Sequence, residues 1–200
     1  MTRPIYGSRL ISTAERLAGA RAGRGRPALS DLRRATSTAY YALFHQLIRH
    51  GAFEFLPEAT ESDAAEIARW FTHTGVFSAA GLVLDAASGK ALAQIGKNDR
   101  TAVSAIRSAC GGSVPSGVVT IADAFQSLQA ARVDADYDGN YDPVRAVTLN
   151  HVQDARQALS ESQLLWYGQT SPGAWRSSID PTYRTLLRLA LLKSGGPRGR

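Results

Sequence analysis

Apolar residues recur along this chain at intervals of three and four, and no stretch keeps the strict alternation of a half-buried strand. The pattern predicts an all-α protein. A first helix is expected from about Pro4 to Ala20, and the Gly/Arg stretch Gly19 to Pro27 reads as a loop. Ser30 or Asp31 is placed to cap a second helix that carries Leu32, Thr36, Tyr40, Leu43 and Leu47 on one face and stops at Gly51. A third helix is expected over Glu61 to Phe71, and a fourth, capped by Thr72 or Thr74, runs through Val76, Leu82 and Leu84. Between 88 and 115 the chain is Gly-rich, with one short helix near Thr101 to Cys110. From Ser116 a further helix spaces Val119, Ala122, Phe125, Leu128 and Ala131 and is expected to end before the acidic loop DADYDGNYDP. A helix from about Thr148 to Tyr167, a loop through Pro172 and a last helix from Pro181 to Lys193 follow, ahead of the tail SGGPRGR. Helix content should lie far above the usual level of roughly one third, with Tyr40, Leu43, Leu47, Phe125 and Leu128 in one core.

At 200 residues the chain is long enough to bury a core of its own, as one domain or two small ones. A hydrophobic fraction of 44% and a charged fraction of 20% are those of a globular protein and exclude a disordered one. No stretch approaches the roughly 20 apolar residues of a membrane-spanning helix, so no membrane association is expected. The start lacks the apolar region of a secretory signal, and the single Cys110 allows no internal disulfide; both fit a mature, cytoplasmic protein. Net charge is +6 but uneven. Residues 1–34 carry eight Arg against two acids, and residues 181–200 carry five basic groups and no acid, while the middle sums to −5. Basic ends lying side by side would attract phosphate backbones; the alternative is solvated Arg-rich helix faces.

The second helix has a polar stripe besides its apolar one. Arg34, Thr38, Tyr41 and His45 fall within about 60° of one another, a row suited to an anion or to a buried polar network. The run RRATSTAYYALFHQLIRHG around this stripe is followed by THTGV at Thr72 to Val76 and RVDADYD at Arg132 to Asp138. Taken in that order, these three pieces resemble HEPN domains (higher eukaryotes and prokaryotes nucleotide-binding), with the likeness strongest over 30–160 and an insertion at about 88–115. The chain then divides into a HEPN-like bundle over 1–168 and a C-terminal loop, helix and tail over 169–200.

The resemblance implies a helical bundle that is commonly a homodimer, binds RNA or a nucleotide, and belongs to a toxin-antitoxin or defence system beside a minimal nucleotidyltransferase partner. It brings no cofactor and no metal. Many members are metal-independent ribonucleases that use an Arg followed by four to six residues and a His. An Arg neutralises the phosphoryl oxygens as charge builds on them, and an imidazole moves the proton of the 2'-hydroxyl. Here the positions after Arg132 that should hold the His are Tyr137, Asp138 and Gly139. Candidate catalytic residues are therefore Arg132, Asp136 and Tyr137, with Arg145 and His151 as a displaced pair of the right spacing. Candidate ligand-binding residues are Arg34, Tyr41, His45 and His73. Arg34 or Arg132 is expected to reach Asp136, with Tyr41, His45 or Tyr137 nearby. The contrasting expectation is a non-catalytic helical interaction module that dimerises or binds the nucleotidyltransferase.

Other motifs carry less. Asp134, Asp136, Asp138, Gly139 and Asp142 match a calcium loop, but Arg145 stands where its bidentate Glu belongs. Ser88-Gly89-Lys90 lacks the first Gly of a phosphate-binding loop. Trp166, Tyr167 and Trp175 are expected to stack bases or, more simply, to dock the C-terminal helix.

Overall fold

The structure, a computed structural model, describes residues 6–19, 26–168 and 179–195. It is all-α, 76% helical, with no strand among the described residues. The helices are α1 (Tyr6–Leu17), α2 (Leu29–Phe55), α3 (Glu61–Ala68), α4 (His73–Ala87), α5 (Arg100–Ala109), α6 (Ser116–Tyr137), α7 (Arg145–Tyr167) and α8 (Pro181–Lys193). A short 3-10 turn, Leu92–Gln94, precedes α5. Residues 20–25 of the Gly/Arg loop and the loop through Pro172 and Trp175 lie outside the described residues. Among those residues, no helix is long and apolar enough to cross a membrane.

Helix α3 ends at Ala68 and α7 begins at Arg145, each three residues from the sequence reading, and three further boundaries differ for local reasons. Gly51 does not stop α2, which continues to Phe55. The Phe71 ring lies where a Cβ at position 51 would sit, 2.4 Å away, so glycine here serves close approach and not helix termination. Ser30 and Asp31 fall inside the first turn of α2, where the Asp31 carboxylate suits the positive helix end instead of capping it. Helix α6 runs on through Asp134 and Asp136 to Tyr137, so the first half of the expected acidic loop is helical.

Two compact units divide the chain: residues 1–46 with 124–160, and residues 47–123 with 161–200. The first unit holds α1, the start of α2, the end of α6 and the start of α7. Its core is Ile11, Ala14, Tyr40, Leu43, Phe44, Phe125, Leu128, Val152 and Ala155, all buried. Tyr40 packs its ring 5.4 Å from that of Phe125 and 6.0 Å from that of Phe44. Many neighbouring positions are alanine, which lets helix backbones approach. Arg145 closes the C-terminal end of α1, donating from Nε to the Ala18 carbonyl at 3.1 Å and from Nη2 to the Gly19 carbonyl at 2.6 Å.

In the second unit α4, α5 and α8 pack on one another around Val76, Val83, Val103, Ile106, Leu186 and Leu187. The local signals at α8 are complete: Asp180 caps it by accepting from the Thr182 and Tyr183 amides, and Pro181 fills its first position. His50 of α2 stacks on Trp166 of α7 with centroids 4.4 Å apart, and its Nδ1 lies 2.8 Å from the Tyr183 hydroxyl of α8. Trp166 and Tyr167 thus serve the docking of α8; Tyr167 meets the His50 ring edge-on.

Burial holds His50 neutral, with its pKa pushed down to about 3, and the Arg49 guanidinium acts in the same direction. An unfolded histidine protonates near pH 6.5, so between there and about pH 3 the unfolded chain binds the extra proton. Stability therefore falls on acidification across this window, by up to about 1.4 kcal/mol per pH unit from this group. His50→Gln keeps a polar partner for Tyr183 and cannot titrate there. Its urea midpoint should fall less steeply than that of wild type as pH is lowered from about 6.5 to about 4.5. Parallel profiles would contradict a buried neutral His50.

Candidate functional site

The first unit brings α2 and α6 together through residues spaced by four on each helix. On α2 these are Arg33, Ser37 and Tyr41; on α6 they are Arg132 and Asp136, with Tyr137 next in line. Arg132 is central. Its Nε lies 2.7 Å from Asp136 Oδ2, and its Nη2 donates to the Tyr41 hydroxyl at 2.7 Å and the Tyr137 hydroxyl at 3.4 Å. The contact with Asp136 is ionic and not an aligned hydrogen bond. The guanidinium carbon also lies 5.4 Å from the ring centre of Tyr41 and 5.1 Å from that of Tyr137, so two aromatic faces flank the cation. Burial opposes the charge on Arg132, but the Tyr41 hydroxyl and the Asp136 carboxylate offset this and leave its pKa above the ordinary value.

Asp136 is held from its other side as well. Ser37 donates to its Oδ1 at 2.5 Å, so both carboxylate oxygens are engaged. Arg33 then fixes the end of α6 by donating to three carbonyls: Ala135 at 2.9 Å, Asp138 at 2.5 Å and Tyr141 at 3.1 Å. A cation at a helix C-terminus satisfies orphan carbonyls and complements the helix dipole.

The expected contact to Asp136 is made by Arg132, with Tyr41 and Tyr137 beside it. Arg34 is exposed and its neighbour Arg33 takes the role in the cluster, one position from the stripe read in the sequence. The spacing 33, 37, 41 carried the same signal as 34, 38, 41, 45, and only packing against α6 distinguishes them. His45 sits one turn beyond Tyr41, half-buried, with ring centroids 6.1 Å apart and a pKa lowered by burial. His73 belongs to the second unit. It opens α4, whose cap is Thr72 accepting from the Gly75 amide at 3.0 Å.

Arg145 and His151 share α7 but point about 120° apart, being six residues apart on a helix. Arg145 is bound to the Ala18 and Gly19 carbonyls just past α1. His151 is half-buried and its pKa is lowered by burial, with Asp154 opposing. The structure does not bring the pair to one site.

Two of the three sequence pieces therefore meet in one cluster, and the third caps α4 in the second unit. Comparison with protein-family models, curated proteins and solved structures found no match for this chain. An incoming phosphate would have to displace Asp136 from Arg132, and the exposed Asp134, Asp138 and Asp142 on the same segment would repel it. The calcium loop does not fit either, because Asp134 and Asp136 lie on α6; among the described residues no group of His, Cys, Asp or Glu is placed to hold a metal. Tyr137, 71% exposed, is the one member of the cluster with a broad open face.

Proposed function

We propose that this chain is a HEPN-like helical protein that acts by binding a partner and not by cleaving RNA. The observation that carries the reading is Arg132, whose guanidinium is committed to Tyr41, Asp136 and Tyr137 within its own unit. A catalytic Arg must be free to neutralise charge on a scissile phosphate, and a general base must stand within reach of the 2'-hydroxyl. At the positions where the family places that base, this chain has Tyr137, Asp138 and Gly139. A phenol is a poor general base at neutral pH. The proposal extends, on the resemblance, to a homodimer and to a minimal nucleotidyltransferase partner in a toxin-antitoxin or defence pair.

A second reading, recognition of RNA or a nucleotide, is favoured by one observation: the open ring of Tyr137 over the Arg132 guanidinium, a surface on which a base stacks. Incubating mixed-sequence RNA with wild type, Arg132→Ala and His151→Ala in EDTA tests both. The binding reading expects no cleavage above the buffer control by any of the three. Cleavage by wild type that is lost in either variant would overturn it, and RNA retention that Tyr137→Ala abolishes would move the function to the second reading.

A further inference from the structure

Two exposed apolar side chains of the second unit, Phe55 and Leu192, lie along one groove. Gly51 and Phe55 of α2 face Leu187, Leu191 and Leu192 of α8 across an open cavity of about 350 Å³. Phe55 is 52% exposed and Leu192 72%. On α8 the apolar positions 187 and 191 stand four apart and form a ridge, and the facing wall is Phe55 with the bare backbone of Gly51. That shape accepts a third helix.

Charge at the rim narrows the occupant further. Glu54 lies at the groove wall, nearly buried, with Arg184 Nε at 3.3 Å and Arg188 Nη2 at 2.7 Å from its carboxylate. One carboxylate faces two guanidinium groups, and the Arg188 side chain is 64% exposed. Helix α8 carries Arg184, Arg188 and Lys193 and no acid. Lys193 is paired with Asp99 at 3.0 Å and Arg188 also donates from Nε to Glu54 at 3.0 Å, so the mouth keeps one excess positive charge, that of two guanidinium groups against one carboxylate. Residues 196–200, Gly-Pro-Arg-Gly-Arg, carry no large apolar side chain and add the same sign of charge, so this segment does not suit the groove.

We propose that the groove between α2 and α8 seats an amphipathic helix of a partner protein. Leucine-type side chains at i, i+3, i+4 and i+7 enter the groove, and carboxylates on the flank face Arg188. The proposal rests on the reading of the chain as a binding module, but its test reads peptide binding and is blind to RNA cleavage.

The probe is a labelled synthetic peptide of about 15 residues with Leu at those positions and Glu on its flanks, titrated with the full chain and followed by fluorescence anisotropy. The Glu peptide should bind at least about tenfold more tightly than the same peptide with Lys flanks, and Arg188→Gln should narrow that gap. Leu192→Glu and Phe55→Glu, both at exposed positions, should each weaken binding by at least about tenfold with the circular dichroism spectrum unchanged. Absence of binding, equal affinity for the two peptides, or indifference to both groove substitutions would overturn the proposal. So would concentration-dependent self-association that Leu192→Glu abolishes, since the groove would then belong to a second copy.

Discussion

Gly75→Val should cost about 3 kcal/mol and loosen α8 from α4. A Cβ at position 75 would lie 2.1 Å from Ser194 Oγ, 2.8 Å from the Ser194 nitrogen and 2.9 Å from its Cα. The hydroxyl can rotate; the two backbone atoms can yield only if the end of α8 moves. Ser194 is also tied at both sides, accepting from the Thr72 amide at 2.9 Å and donating to the Ala190 carbonyl at 2.6 Å. Moving it would break the joint between the cap of α4 and the last turn of α8. Gly89→Ala is the control: its φ of 70° strains an alanine, but nothing lies within 4 Å of the added Cβ. That change should cost only about 1 kcal/mol, and a urea midpoint for Gly75→Val as high as that of Gly89→Ala would contradict the close approach.

The larger loss is expected in the first unit. Tyr40→Ala removes a fully buried ring that meets Phe44 and Phe125, and should cost about 3 to 5 kcal/mol in urea unfolding. Burial drives the pKa of its hydroxyl upward, so it stays protonated and Tyr40→Phe should cost no more than about 1.5 kcal/mol. A Tyr40→Ala loss under about 1 kcal/mol would mean that this ring is not at the centre of the core.

These two positions show which features the sequence made legible. Tyr40 could be placed in the core because Leu32, Thr36, Tyr40, Leu43 and Leu47 repeat at helical spacing, and all five are buried. Helix α8 begins at Pro181 as expected because its signals, Asp180 and Pro181, are local. Gly75 was legible only as part of the string THTGV, one of the pieces that carry the resemblance. Its reason, Ser194, stands far along the chain at the C-terminal cap of α8, which no local pattern joins to it. Gly51 misled for the same cause, since Phe71 and not the backbone conformation requires it.

The candidate site was legible in outline and offset in detail. Arg132, Asp136, Tyr137 and Tyr41 converge as the sequence suggested, because Arg and Asp four apart on a helix meet on one face. The end of α6 was misjudged. Acidic, turn-prone residues argue for a loop from Asp134 onward, but Arg33 supplies the capping that the local sequence lacks and carries the helix to Tyr137. Choosing Arg33 over Arg34 requires knowing which side of α2 meets α6, and periodicity alone leaves the two one residue apart.

The fold, and not a ligand, holds Arg132 in place. The unfolding free energy of Arg132→Ala relative to wild type in urea reads this directly. The side chain is 16% exposed and its partner Asp136 30%, so the pair sits between a buried and a surface ion pair. With the Tyr41 bond included, the loss should be about 2 to 3 kcal/mol. Stability within about 0.5 kcal/mol of wild type would contradict the claim and leave the guanidinium available for a ligand.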